Sequence, residues 1–105
     1  MKITVSRDND KLTVAVDGTI NSLTSAEFGK ALDSLPLGET KLLLLDFANV
    51  EYISSAGLRV LLATYDRMDD HGAMKIINVS EDVFQILDIT GFIGTLDVER
   101  AGKAR

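Results

Sequence analysis

The sequence predicts an α/β domain: a mixed β-sheet with an N-terminal hairpin and a parallel centre, packed against three main helices in the order β-β-α-β-α-β-α-β. Three observations carry this. Two period-two segments separated by a polar turn open the chain. The run Leu42 to Leu45 does not alternate with polar residues, the pattern of a central parallel strand covered on both faces. Segments with apolar residues at spacings of three and four then alternate with strand-like ones, which right-handed crossovers assemble into a sheet with helices packed on it.

Ile3 and Val5 alternate with Lys2, Thr4 and Ser6, and Leu12, Val14 and Val16 alternate with Lys11, Thr13 and Ala15. Each is a half-buried strand, with Arg7-Asp8-Asn9-Asp10 as the turn, and Asp17-Gly18 ends or bends the second strand. Thr24-Ser25-Ala26-Glu27 fits a capping box, and Leu23 and Phe28 are spaced for a hydrophobic staple. A helix is expected there, turning Phe28, Ala31, Leu32 and Leu35 inward until Pro36 stops it. The second helix carries Leu58, Leu61, Leu62, Tyr65 and Met68 on one stripe and ends at His71-Gly72, with glycine in the usual C-terminal position. Ala73 to Val79 is a strand; Ser80 caps a third helix with Val83, Phe84, Ile86 and Leu87, closed by Gly91; Gly94 to Val98 adds a short last strand. The expected domain spans 1–98, with 99–105 a frayed C-terminal tail.

Composition narrows the function. A chain of 105 residues, 46% hydrophobic and 26% charged, builds one globular core. Sixteen acidic against eleven basic residues give a net charge of −5, which argues against nucleic acid as partner. With no cysteine, disulfides and thiolate metal sites are excluded. The start MKITVSRDND has no apolar segment of signal-peptide length, and the longest apolar run falls far short of the roughly 20 residues that span a bilayer. The expectation is a cytoplasmic protein without membrane insertion.

Catalytic chemistry finds little support. His71 is the only histidine, and a helix from Ser55 to His71 would hold the two roughly 24 Å apart, so a nucleophile–base pair is out of reach. His71 instead suits the last turn of its helix, where it complements the dipole. There is no Walker-type loop and no nucleophile elbow. Asp17, Asp46 and Glu51 fall near one end of the sheet, yet spacing alone shows no convergence on a metal. No metal, cofactor or enzymatic activity is expected.

The informative stretch is Asp46-Phe47-Ala48-Asn49-Val50-Glu51-Tyr52-Ile53-Ser54-Ser55-Ala56-Gly57-Leu58. It places Ser54 and Ser55 at a helix N-terminus, where unpaired N–H groups and the positive dipole end favour negative charge. Either serine could be a plain N-cap, and either could carry a phosphate.

This stretch resembles the signature of STAS domains, specifically the bacterial anti-sigma factor antagonists. Asp17-Gly18-Thr19-Ile20-Asn21-Ser22-Leu23-Thr24-Ser25-Ala26-Glu27-Phe28 resembles the family's first loop and helix, and the order of elements is similar over nearly the full length. The resemblance implies a STAS-like domain that is not an enzyme. It would bind an anti-sigma factor, often itself a serine protein kinase, and so release a sigma factor. Phosphorylation of the serine before the Gly-Leu of the motif would prevent binding. That serine falls on Ser55, with Ser54 as the alternative acceptor. The implied partner surface comprises Asn21, Ser22, Thr24, Ser54, Ala56, Gly57 and Arg59 on a monomer or weak dimer, with Leu58 assigned to packing. Ser54 and Asn21 stand where the family commonly has aspartate, and Arg59 where it often has glycine. Two other functions stay open: a nucleotide-binding STAS module with its phosphate cradle near Ser55, and a STAS accessory subunit of a lipid-transport complex.

Overall fold

A computed structural model describes residues 1–102. The elements are β1 (Lys2–Asp8), β2 (Lys11–Asp17), α1 (Ser25–Asp33), a 3-10 turn (Leu37–Glu39), β3 (Leu42–Asn49), α2 (Ser55–Met68), β4 (Ala73–Val79), α3 (Glu81–Ile89) and β5 (Asp97–Arg100). They form one sheet in the order β1-β2-β3-β4-β5, antiparallel between β1 and β2 and parallel thereafter. This is the expected mixed α/β architecture.

Because spatial order follows chain order, every right-handed crossover advances the same way and sets its helix on the same face. Leu12, Val14 and Val16 of β2, Leu43, Leu45 and Phe47 of β3, and Met74 and Ile76 of β4 are buried on that face. Phe28 of α1 meets Phe47 edge-on, with ring centroids 6.3 Å apart. Leu61 and Met68 of α2 and Val83 and Leu87 of α3 complete the core. Leu42 and Leu44, read from the sequence as covered on both faces, are only half-buried. They lie on the face opposite the helices, so the leucine run reflects one covered face and one partly open one.

Three other local expectations change. The capping box at Thr24 does not form, because its side chain makes no cap bond and instead donates to the Thr19 carbonyl at 2.6 Å. The staple fails too, with Leu23 85% exposed. The last strand begins at Asp97 rather than Gly94: the N–H groups of Thr95 and Leu96 both bond to the Phe92 carbonyl, folding Gly94 into a turn, and Leu96 is buried. Strand β5 then runs to Arg100, past the boundary expected at 98; Arg100 bonds Glu81 at 3.1 Å and lies 4.1 Å over the Phe84 ring. Of the expected tail, 103–105 lie outside the described residues.

The junction after α2 also departs from a glycine cap. Gly72 is not in the left-handed region, but a Cβ there would stand 2.6 Å from the Lys41 carbonyl and 2.9 Å from that of Thr40. Glycine is needed for close backbone approach. Beside it, His71 Nδ1 faces an Asp70 carboxylate oxygen at 2.9 Å, and Nε2 faces the Leu37 carbonyl. Two acceptors on two ring nitrogens are satisfied together only by the imidazolium. The Asp70 hydrogen bond first, and the Leu37 carbonyl second, therefore hold the His71 pKa above its ordinary 6.5, while His71 lowers that of Asp70.

Two outcomes follow. Gly72→Ala should destabilise the domain by about 1–3 kcal/mol, measured by denaturant unfolding, since the carbonyls of Lys41 and Thr40 cannot move aside cheaply. A raised folded pKa stabilises fully below pH 6.5 and is lost as pH rises through the raised value. The gap in thermal midpoint between the wild type and His71→Gln should accordingly be wider at pH 6 than at pH 8.5; a gap independent of pH would contradict the imidazolium clasp.

Candidate functional site

Beyond the end of β2 the chain stays beside the end of β3. A bulge shifts the β2–β3 register between Ala15 and Asp17. After it the Gly18 N–H bonds to the Asn49 carbonyl at 3.1 Å, the Ile20 N–H to the Tyr52 carbonyl at 3.0 Å, and the Ser54 N–H to the Ile20 carbonyl at 2.7 Å. Ile20 and Ile53 form a parallel bridge and are both buried. This pairing brings the loop before α1 to the start of α2, the two segments singled out in the sequence.

The loop is ordered by Asn21. Its Oδ1 accepts from the N–H groups of Leu23 at 2.8 Å and Thr24 at 2.9 Å, while the Asn21 N–H donates to Thr24 Oγ1 at 2.9 Å. This Asx turn orders the loop ahead of α1; the Asn21 side chain reaches the amides of Leu23 and Thr24 and not those of the helix's first turn. An aspartate oxygen would accept the same bonds, so asparagine keeps the geometry and removes a negative charge. Ser22 is exposed at the loop tip, and Asn21 and Thr24 are half-buried.

At the start of α2 the two serines divide the work. Ser54 is the N-cap, in extended conformation with its Oγ accepting from the Gly57 N–H at 3.2 Å. Serine caps about as well as aspartate, so here too the hydrogen bond survives without the charge. Ser55 is the first helical residue and is exposed; among the described residues no hydrogen bond reaches its hydroxyl, its N–H or the N–H of Ala56. The site thus offers a free hydroxyl beside two unpartnered amides at the positive end of a helix.

The remaining expected residues separate. Arg59 is exposed one turn along α2, and Ala56 is half-buried. Gly57 is buried: a Cβ on it would lie 2.6 Å from Ile20 Cγ2 and 2.8 Å from Ile53 Cγ1. It lets the bridge close over the helix and presents no surface of its own. Leu58, 5% exposed, packs in the core. Asp46 accepts from the Ala48 N–H at 3.0 Å and from Asn78 at 3.1 Å, and no group of acidic or histidine side chains among the described residues is arranged to hold a metal ion. Tyr52, 47% exposed, and Leu23 flank the site; Leu23 had read as half of a staple, and only its exposure shows otherwise.

Comparisons with known proteins agree with this geometry. BtrV of Bordetella bronchiseptica, provisionally named an anti-sigma factor antagonist, is 27% identical over 106 residues, covering 99% of this chain and 90% of its own. An anti-sigma factor antagonist structure from Mycobacterium paratuberculosis superposes with a TM-score of 0.84 at 21% identity, over 93% of this chain and 84% of that one. The phosphorylated form of the Bacillus cell-fate determinant SpoIIAA matches with a TM-score of 0.70 at 10% identity, over 92% and 90%. The family model described as the STAS domain covers residues 2–101. A chain matched over that span, with the paired loop and serine-headed helix in place, belongs to the STAS domain family.

Proposed function

We propose that this protein is an anti-sigma factor antagonist of the bacterial cytoplasm: it binds an anti-sigma factor of the serine-kinase type, frees the sigma factor, and is switched off by phosphorylation of Ser55. The binding surface is the Asn21–Thr24 loop with the exposed start of α2, on a monomer or weak dimer, and no catalysis is involved. The names of the relatives and the shared fold support the role. One observation carries the switch: Ser54 holds the cap, which leaves the Ser55 hydroxyl exposed and uncommitted.

The physics of that position gives the mechanism. A phosphate adds about −1.5 to −2 charges at neutral pH. The free amides and the dipole accommodate those charges where they stand, so the fold persists and the surface changes instead. Facing a partner's acidic or apolar patch, the dianion costs about 3 kcal/mol, roughly a hundredfold in affinity.

Incubation with ATP and each anti-sigma kinase encoded in the source genome should place phosphate on Ser55, located by mass spectrometry. Modification confined to other residues would defeat the assignment. Ser55→Asp should weaken capture of the kinase roughly a hundredfold while leaving the thermal midpoint within a few degrees. Ser54→Ala, by contrast, should cost about 1 kcal/mol and lower the midpoint by about 4–8 °C. Equal thermal losses at both positions would mean that the two hydroxyls share the capping role and that Ser55 is not free.

A further inference from the structure

The two helices that meet at the site run side by side away from it. Between them lies a groove of about 440 Å³, lined by Ala26, Gly29 and Asp33 of α1 and by Ala56, Val60 and Ala63 of α2, with Gly29 lying against Val60. A Cβ on Gly29 would come within 3.3 Å of Val60 Cγ2, so the glycine leaves the floor clear beside Val60. From residue 25 to residue 33 the groove extends roughly 12 Å, the rise of about two helical turns.

Its walls carry charge opposite to that of the chain. The protein as a whole bears −5. Lys30 on one wall and Arg59 on the other have no ion-pair partner among the described residues, whereas the one acid lining the groove, Asp33, is paired with Arg67 at 3.6 Å. Both helices also start at the site end; α1 carries Glu27 in its first turn, whereas α2 has no acid in its own and, with the neutral Ser54 as its cap, adds an uncompensated positive pole.

We infer that this groove seats an amphipathic helix of the anti-sigma partner, its small apolar residues on the floor and its acidic residues towards Lys30 and Arg59. The inference rests on the proposed function and extends it along the helices, to Lys30, Val60 and Ala63. It also explains why a modification at the head of the groove controls binding. A phosphate on Ser55 meets an acidic ligand with like charge, one turn from the Arg59 that would otherwise attract it.

Two measurements test it. In the first, an 18-residue helical peptide with alanine and leucine on one face and glutamate on its borders is titrated into the 15N-labelled full chain, alongside the same peptide with lysine for glutamate. The acidic peptide should shift the amides of Ala26, Gly29, Lys30, Val60 and Ala63. Lys30→Glu with Ala63→Glu should weaken it at least tenfold and improve the lysine peptide. Preference for the lysine peptide by the wild type, shifts confined to other surfaces, or no shifts would overturn the groove assignment. So would sedimentation showing a second copy of the chain seated there.

In the second, capture of the anti-sigma kinases is measured with the same double variant, both substitutions being at exposed positions and checked by thermal melting. Loss of capture by at least tenfold supports the groove. Capture unaffected by the variant overturns it while the proposed function stands. If no kinase is captured by the wild type, the proposed function fails and the groove's claim on an anti-sigma partner fails with it, whatever the peptides do.

Discussion

The site depends on three hydrogen bonds that continue the pairing of β2 and β3 past the end of β2 and then beyond β3. Through them Ile20 and Ile53 are held in register, and the loop before α1 becomes a fixed neighbour of the start of α2. Closure requires that nothing protrude from the helix below, which is why Gly57 sits under both isoleucines. Remove that contact and the loop before α1 would be held to the start of α2 only through the packing of the two helices further along. Glycine at position 57 is thus a packing requirement of this junction.

A second set of contacts holds the far end of the same helix pair. The Arg67 guanidinium donates to the carbonyls of Leu32 at 2.9 Å and Leu35 at 3.2 Å, capping α1 from α2. One turn later the His71 ring reaches the Leu37 carbonyl, joining α2 to the 3-10 turn. Carbonyls at a helix end have no intrahelical partners, so cationic donors from a neighbouring helix are well matched to them. With α1 and α2 fastened at both ends, their separation in between is set by Gly29 against Val60. The two helices thus present their paired surface as one frame.

Much of this was legible in the sequence, for identifiable reasons. Strand and helix order followed from periodicity, and the starts of α2 and α3 from serines that do act as caps, Ser54 to Gly57 and Ser80 to Val83. The errors share a cause: a local pattern with two physical solutions. Thr24 could cap the helix or bond backward, and its hydroxyl donates to the Thr19 carbonyl instead of accepting from the first turn of α1. A run of leucines looks alike whether two faces are covered or one is half-open. Gly72 could serve a left-handed turn or a close approach, and only the position of Lys41 decides. The groove was invisible because it belongs to neither helix; its lining is exposed, polar-interrupted helix surface until the two are set side by side.

The sheet has its strands lined up in the order in which the chain encodes them. During synthesis each β-α unit can therefore dock on the one already made, without waiting for a distant segment to be inserted between neighbours. Until β4 arrives, however, the leucine-rich β3 is a naked hydrophobic border. The ribosome-bound nascent chain is thus most prone to aggregation while α2, with Ser54 and Ser55 at its head, is leaving the exit tunnel.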